Sequence, residues 1–203
     1  MAKKKLVLAA CLSVLCATTA YAADGYYMGG MAGAAFLSDS TVSSPGNTFD
    51  AEFDTGYNLS LMAGYKYMNT RLEGEIGYQR NDLNQFTGGI NAGAEGDADM
   101  WRFMVNGYYD IENDSPWTPY FDVGLGYALV SFNEWRTEGG IAVGDDDDWV
   151  FAYQAGAGIA YTLNETAKVF LDYRFFGTQD PDFSGGEAEI ASHNISLGVN
   201  YAF

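Results

Sequence analysis

Residues 57–67 alternate between large apolar and small or polar side chains. Tyr57, Leu59, Leu61, Ala63, Tyr65 and Tyr67 share one parity, and Asn58, Ser60, Met62, Gly64 and Lys66 share the other. A period of two sends successive side chains to opposite faces, so the segment predicts a strand between two different surroundings. The pattern recurs. Leu72, Ile76 and Tyr78 oppose Arg71, Glu73, Glu75 and Gln79, and Trp101, Phe103, Val105 and Tyr109 alternate with Arg102, Met104 and Asn106. Phe121, Val123, Leu125, Tyr127 and Leu129 alternate with Tyr120, Asp122, Gly124 and Gly126. Phe151, Tyr153, Ala155, Ala157, Ile159 and Tyr161 are interleaved with Ala152, Gln154, Gly156 and Gly158. Val169, Leu171, Tyr173 and Phe175 are interleaved with Lys168, Phe170, Asp172 and Arg174. At the end of the chain, Ile195, Leu197, Val199, Tyr201 and Phe203 alternate with Asn194, Ser196, Gly198, Asn200 and Ala202. Residues 26–36 complete the set as a Gly- and Ala-rich strand whose faces the pattern leaves open.

These are eight segments of about ten residues, the length a tilted strand needs to cross a hydrocarbon layer. Their connections alternate between short (residues 69–70, 110–118 and 163–166) and long and polar (37–54, 81–98, 131–148 and 177–191). That rhythm predicts an all-β fold, an eight-stranded antiparallel up-and-down transmembrane β-barrel with tight turns at one end and long loops at the other. Aromatics sit at both strand ends. Tyr65, Tyr67, Tyr109, Tyr161, Tyr201 and Phe203 lie beside the short turns, and Tyr57, Tyr78, Trp101, Trp149 and Phe175 beside the long loops. Two such rings suit the two membrane–water interfaces. A soluble eight-stranded barrel with its apolar face inward around a ligand is the competing architecture. It would leave the two rings and the strict loop asymmetry without a cause.

Composition narrows the choice. No stretch beyond the first residues approaches the ~20 apolar residues of a membrane-spanning helix, yet the chain holds 15 Tyr, 13 Phe and 25 Gly. A chain of this kind crosses lipid only as closed β-structure, because an open sheet edge goes unsatisfied there. At the N-terminus, Lys3, Lys4 and Lys5 precede an apolar run and Ala20-Tyr21-Ala22, the layout of a signal peptide over residues 1–22. Residues 23–203 then form the barrel domain. Cys11 and Cys16 leave with the signal, so the mature chain offers no disulfide and no thiolate ligand. The formal charge of −17 rests on 27 acidic and 10 basic residues. Losing three lysines takes it to −20, which argues against nucleic acid as a partner.

With the apolar face outward, the lumen receives Lys66, Arg71, Arg102, Lys168 and Arg174 together with Glu73, Glu75, Asp122 and Asp172. Charges taken out of water must be paired, so this near-balanced set predicts an internal ion-pair network. The expected role is a plug that fixes strand register, and the alternative is a narrow ion path. The glycines of the inward parity, Gly124, Gly126, Gly156, Gly158 and Gly198 among them, make room for the long arms. The four long loops carry most of the acids, with Asp145-Asp146-Asp147-Asp148 the extreme case. Four adjacent aspartates lack the ligand spacing of a calcium loop, so no metal site is expected. His193 is the sole histidine, and no same-face serine stands two residues away on either side. Neither a catalytic pair nor a cofactor is expected.

Two resemblances sharpen this reading. Ser196, Gly198, Tyr201 and Phe203 stand at the polar, glycine and aromatic positions of a segment similar to the C-terminal sorting signal of bacterial outer-membrane barrels. The residue runs 118–127, 151–161 and 171–175, with the last strand, resemble the small bacterial outer-membrane β-barrel surface antigens, the opacity-type and porin-family proteins. The resemblance implies residence in the outer membrane after export to the periplasm. It also implies contact with outer-membrane lipid and lipopolysaccharide, recognition by the barrel assembly machinery, and a host or cell-surface ligand at the loops. Two functions are compatible with it: a structural or surface-interaction protein acting through four acidic outer loops, or a narrow porin-like channel through the charged lumen.

Overall fold

Alternation becomes a closed wall of eight antiparallel strands: β1 (Gly25–Leu37), β2 (Gly56–Tyr67), β3 (Thr70–Thr87), β4 (Ala92–Asp110), β5 (Trp117–Thr137), β6 (Asp146–Thr162), β7 (Ala167–Thr178) and β8 (Ala191–Ala202). Each strand pairs with its neighbours in sequence, and β8 returns to β1 from Tyr27↔Ala202 to Leu37↔Ser192. The computed structural model describes residues 24–38, 40–44, 47–87, 92–137, 146–179, 182–183, 186–187 and 190–203. The residues of the expected signal peptide lie outside this set.

Register fixes the size of the barrel. Following ladder partners from Thr70 through Tyr109, Phe121, Ala157, Tyr173, Ile195, Ala34 and Tyr57 leads back to β3 at Arg80, ten residues beyond the start. Eight strands with that stagger tilt by roughly 40° and enclose a backbone cylinder of radius about 8 Å. Such a cylinder has room for its own inward side chains and little else.

The two faces follow parity. Leu61, Leu72, Val105, Val123, Leu125, Leu171 and Leu197 are exposed on the outside, while Glu73, Glu75, Arg102, Asp122, Asp172 and Arg174 are buried inside. On β1, which the sequence left unassigned, Tyr27, Met31 and Ala35 point inward and Tyr26, Met28 and Phe36 outward. Gly158 and Gly198 show why glycine is needed within this wall. The ring of Tyr120 lies over Gly158 and that of Phe170 over Gly198, each where a Cβ would stand.

At the turn end, β2 and β3 are joined through Met68 and Asn69. Met68 has φ 51°, and its N–H is held by Asp24 Oδ1 at 2.6 Å. The turn after β4 closes on Asn113, whose Oδ1 accepts the Ser115 N–H at 2.8 Å. In the turn after β6, Asn164 accepts the N–H groups of Thr166 and Ala167, both at 2.9 Å.

The other end corrects the sequence reading. Strands expected to stop near Arg80, Ala98, Ser131 and Asp148 continue: β3 reaches Thr87, β4 begins at Ala92, β5 reaches Thr137 and β6 begins at Asp146. A further hairpin, Ser40–Ser44 with Asn47–Phe53, adds to β3 through Asp50↔Thr87, Ala51↔Phe86, Glu52↔Gln85 and Phe53↔Leu83. Periodicity reports two unlike surroundings, whereas ladder hydrogen bonds need none. Past the membrane both faces are wet and the alternation fades, while the pairing goes on.

Candidate functional site in the barrel lumen

The inward residues sort into three groups along the axis. The central group is built on Arg174 of β7. Its Nη1 donates to Glu75 Oε2 at 2.8 Å, its Nη2 to the Tyr108 hydroxyl at 3.2 Å, and its Nε lies 3.2 Å from Asp172 and 3.3 Å from Asp122. Glu75 is the best-satisfied carboxylate. Ser60 donates to its Oε1 at 2.8 Å, and Asn106 at 2.8 Å and Gln154 at 3.2 Å donate to its Oε2. Tyr120 donates to Asp172 at 2.9 Å. Glu73 meets two phenols instead of a cation, accepting from Tyr27 at 2.8 Å and Tyr108 at 2.6 Å. The cluster thus ties β1, β2, β3, β4, β5, β6 and β7 together across the lumen.

The second group lines the mouth at the turn end. Arg71 donates to Asp110 from Nε at 3.0 Å, and its guanidinium lies 4.1 Å from the Tyr108 ring centroid and 5.0 Å from that of Tyr120. Lys66 bonds Glu112 at 2.7 Å and lies 3.7 Å from Asp110. Lys168 faces the same mouth, apart from the central cluster. The third group lies toward the extended end, where Met100, Met104, Ala128, Val130, Val150, Ala152, Phe176 and Ile190 form a buried apolar cluster. Arg102 is buried beside it, 5.1 Å from the Phe176 ring centroid, and its Nε has no hydrogen-bond partner among the described residues.

The single network expected from sequence is therefore divided. Glu73, Glu75, Asp122, Asp172 and Arg174 come together; Lys66, Arg71 and Lys168 lie at the mouth; Arg102 stands apart. Asp110 was missed as the partner of Arg71, because it was assigned to a turn although it shares the inward parity of Arg102 and Asn106. Tyr27, Tyr108 and Tyr120 were missed as donors because only charged side chains were counted for the lumen. For Tyr108 and Tyr120, parity carries the signal that would have found them.

The outer face carries two aromatic rings. At the turn end, Tyr26 and Tyr65 lie 4.9 Å apart, Trp117 and Tyr161 4.6 Å, and Tyr201 and Phe203 5.6 Å. At the extended end, Tyr78 and Trp101 lie 5.0 Å apart on the same ladder level as Leu129 and Trp149. His193 belongs to this upper ring, with Nδ1 2.8 Å from the Tyr173 hydroxyl and its imidazole 5.4 Å from Phe175. Beyond it, Arg80 is ion-paired with Asp97 and lies 3.6 Å from Asp99. The Asp82 carboxyl is held above the ordinary range by its hydrogen bond to Asp97 opposite. The run Asp145 to Asp148 lies outside the described side chains except for Asp148, whose backbone pairs with Val130. Of the C-terminal segment, Ser196 donates inward to Asn58 at 2.9 Å, Gly198 lies under Phe170, Tyr201 is exposed, and the Phe203 N–H bonds Tyr26 O at 3.1 Å.

Known proteins share this architecture. The crystal structure of Neisserial surface protein A superposes with a TM-score of 0.60 at 19% identity, covering 88% of this chain and 97% of that one. The outer membrane protein OprG from Pseudomonas aeruginosa gives 0.57 at 17% identity, over 90% and 97% of the two chains. In sequence, the outer membrane protein PagN of Salmonella typhimurium is 25% identical over 137 residues, which is 60% of this chain and 57% of PagN. The chain thus spans little more than half the length of that relative. The family model for the outer membrane protein beta-barrel domain matches residues 7–203, so the chain belongs to that family and is a protein of the bacterial outer membrane.

Proposed function

We propose that the barrel is a closed anchor and that its work is done outside the membrane, as a structural or surface-interaction protein. The observation carrying this reading is the Arg174 cluster. It joins side chains from facing walls at mid-lumen, with residues that are 2% exposed or less at Arg174, Glu75 and Asp172. An ion passing this level would have to part a buried set of ion pairs and then the apolar layer around Phe176 and Met100. The extended end supports the same reading. β3 runs nine residues beyond Tyr78, roughly 30 Å of strand, and the Ser40–Ser44 and Asn47–Phe53 hairpin widens that edge into a platform. Its partners on this reading are lipopolysaccharide and outer-membrane lipid around the upper ring and a host or cell-surface ligand at the loops. The assembly machinery reads the Ser196, Gly198, Tyr201 and Phe203 segment.

Two measurements separate the readings. Reconstituted in planar bilayers, the protein is expected to give no stepwise conductance; regular steps that change size in an Arg174 variant would establish the narrow channel instead. Shortening residues 40–53, 83–96 and 132–147 is expected to leave a heat-modifiable barrel while cell-surface adherence is lost. Full adherence by that variant would remove the outer platform from the function.

A further inference from the structure

The mouth at the turn end, periplasmic in this family, is unlike the rest of the molecule. The whole chain carries −17, but here Lys66, Arg71 and Lys168 line one recess of about 70 Å³ beside Thr118 and Asn200. That is the space of about five waters, enough for a small tetrahedral anion and too little for a sugar. The acids of the recess are largely engaged. Asp110 is shared by Arg71 at 3.0 Å and Lys66 at 3.7 Å, Glu112 holds Lys66 at 2.7 Å, and Asp24 accepts the Met68 N–H at 2.6 Å. Glu165 stands exposed on the turn at the rim. Lys168 is different: partly buried, it has no acid within ion-pair distance among the described residues; Lys66 and Arg71 repel it, while Asp110 and Glu112 attract it from beyond that distance. A half-desolvated cation beside two other cations and without a direct ion-pair partner has a place for one, which an anion entering from the periplasm would fill.

We propose that this mouth is a binding site for a small oxyanion of the phosphate class, with Lys168 as its principal ligand and Lys66 and Arg71 flanking it. The site is at the opposite end from the outer platform and stands independently of the surface-interaction reading. Its ligand is either free phosphate or the phosphate of a periplasmic-leaflet headgroup, since both present the same oxygens.

Isothermal titration of the folded protein in a neutral maltoside detergent with inorganic phosphate tests it. Saturable binding near one equivalent is expected, weakened at least ten-fold by Lys168→Gln and kept by Lys168→Arg, with heat-modifiable migration confirming that each variant is folded. A measurement on the unaltered sequence avoids any folding defect: after isotopic methylation of the lysines, the Lys168 resonance should shift on phosphate addition more than that of Lys66. Nanodiscs distinguish the sources. Phosphate binding that persists in phosphatidylglycerol discs identifies the free ion, whereas binding seen only in phosphatidylcholine discs identifies an anionic headgroup as the occupant. Either supports the site. No saturable binding in detergent, or equal binding by folded Lys168→Gln, overturns it.

Discussion

Two arginines lie within the same lumen, both essentially inaccessible, and they are accommodated in opposite ways. Arg174, 2% exposed, is held by Glu75, Asp122 and Asp172 and donates to Tyr108. Arg102, 1% exposed, forms no ion pair within 4 Å among the described residues and lies over the Phe176 ring. The difference lies in the partners that ladder and parity bring near. Arg174 is paired across β6 and β8 with Gly156 and Asn194, small neighbours that leave it free to reach Glu75 on the far wall. Arg102 lies between Gly77 and Ala128 on the ladder, its guanidinium against the Phe176 ring and its Nε and Nη2 over Gly77 beside the Ser60 hydroxyl. One arginine is a crossbar between carboxylates and the other rests against an aromatic ring without an ion pair of its own.

Arg174→Met should therefore be the most damaging change. It strands three carboxylates at once, and removing one member of a buried pair costs about 3–5 kcal/mol. Urea unfolding of the detergent-folded barrel, followed by loss of heat-modifiable migration, should show a loss of that size or no folding at all. A loss below about 1 kcal/mol would mean that the cluster is wet and would reopen the lumen to conduction. Glu75→Gln is expected to be second. It keeps the shape and the contacts to Asn106 and Ser60 but removes the charge facing Arg174, so the loss should be about 1.5–3 kcal/mol, the range for hydrogen bonds to charged groups. The variant should also narrow the gap between the two arginines, because Arg174 then keeps only Asp122 and Asp172 as ion-pair partners, both through its Nε.

How far this contrast could be read in advance depends on parity. The outward faces were legible because lipid demands apolar side chains at every second position, and Leu59, Leu61, Val123 and Leu125 comply without exception. The inward parity of Glu73, Glu75, Asp122, Asp172 and Arg174 was legible for the same reason. Which acid meets which base was not, because that depends on the ten-residue stagger around the wall, and stagger leaves no mark on a single strand's pattern. Arg102 and Arg174 look alike in sequence, each on an inward parity amid aromatics. The outer extensions were hidden for a different reason: once both faces of a strand are in water, nothing in the side chains reports the hydrogen bonding.

The ring under Arg102 offers a smaller test. Phe176→Leu keeps an apolar side chain at the site but removes the aromatic face 5.1 Å from the guanidinium. The expected loss is about 1–2 kcal/mol, part packing and part cation–π attraction. In a double-mutant cycle with Arg102→Met, the coupling between the two sites should be about 0.5–2 kcal/mol, which is the ring's share. Coupling indistinguishable from zero would show that Phe176 serves the apolar layer alone.

Arg102→Met on its own should have the smallest effect. The substitution removes a buried cation and leaves a flexible apolar side chain among Met100, Met104 and Phe176, where it fits by character and approximate volume. Glu75, the nearest acid to feel the loss, keeps Arg174 at 2.8 Å and the donors Ser60, Asn106 and Gln154. Replacing a buried charge that lacks a close counter-charge by an apolar residue is commonly neutral or stabilising. The unfolding midpoint should therefore stay within about 1 kcal/mol of the unaltered barrel, on the stabilising side, in clear contrast to Arg174→Met. A loss above 2 kcal/mol would erase the distinction between the two arginines and make Arg102 a second crossbar, held by a partner from the outer segments.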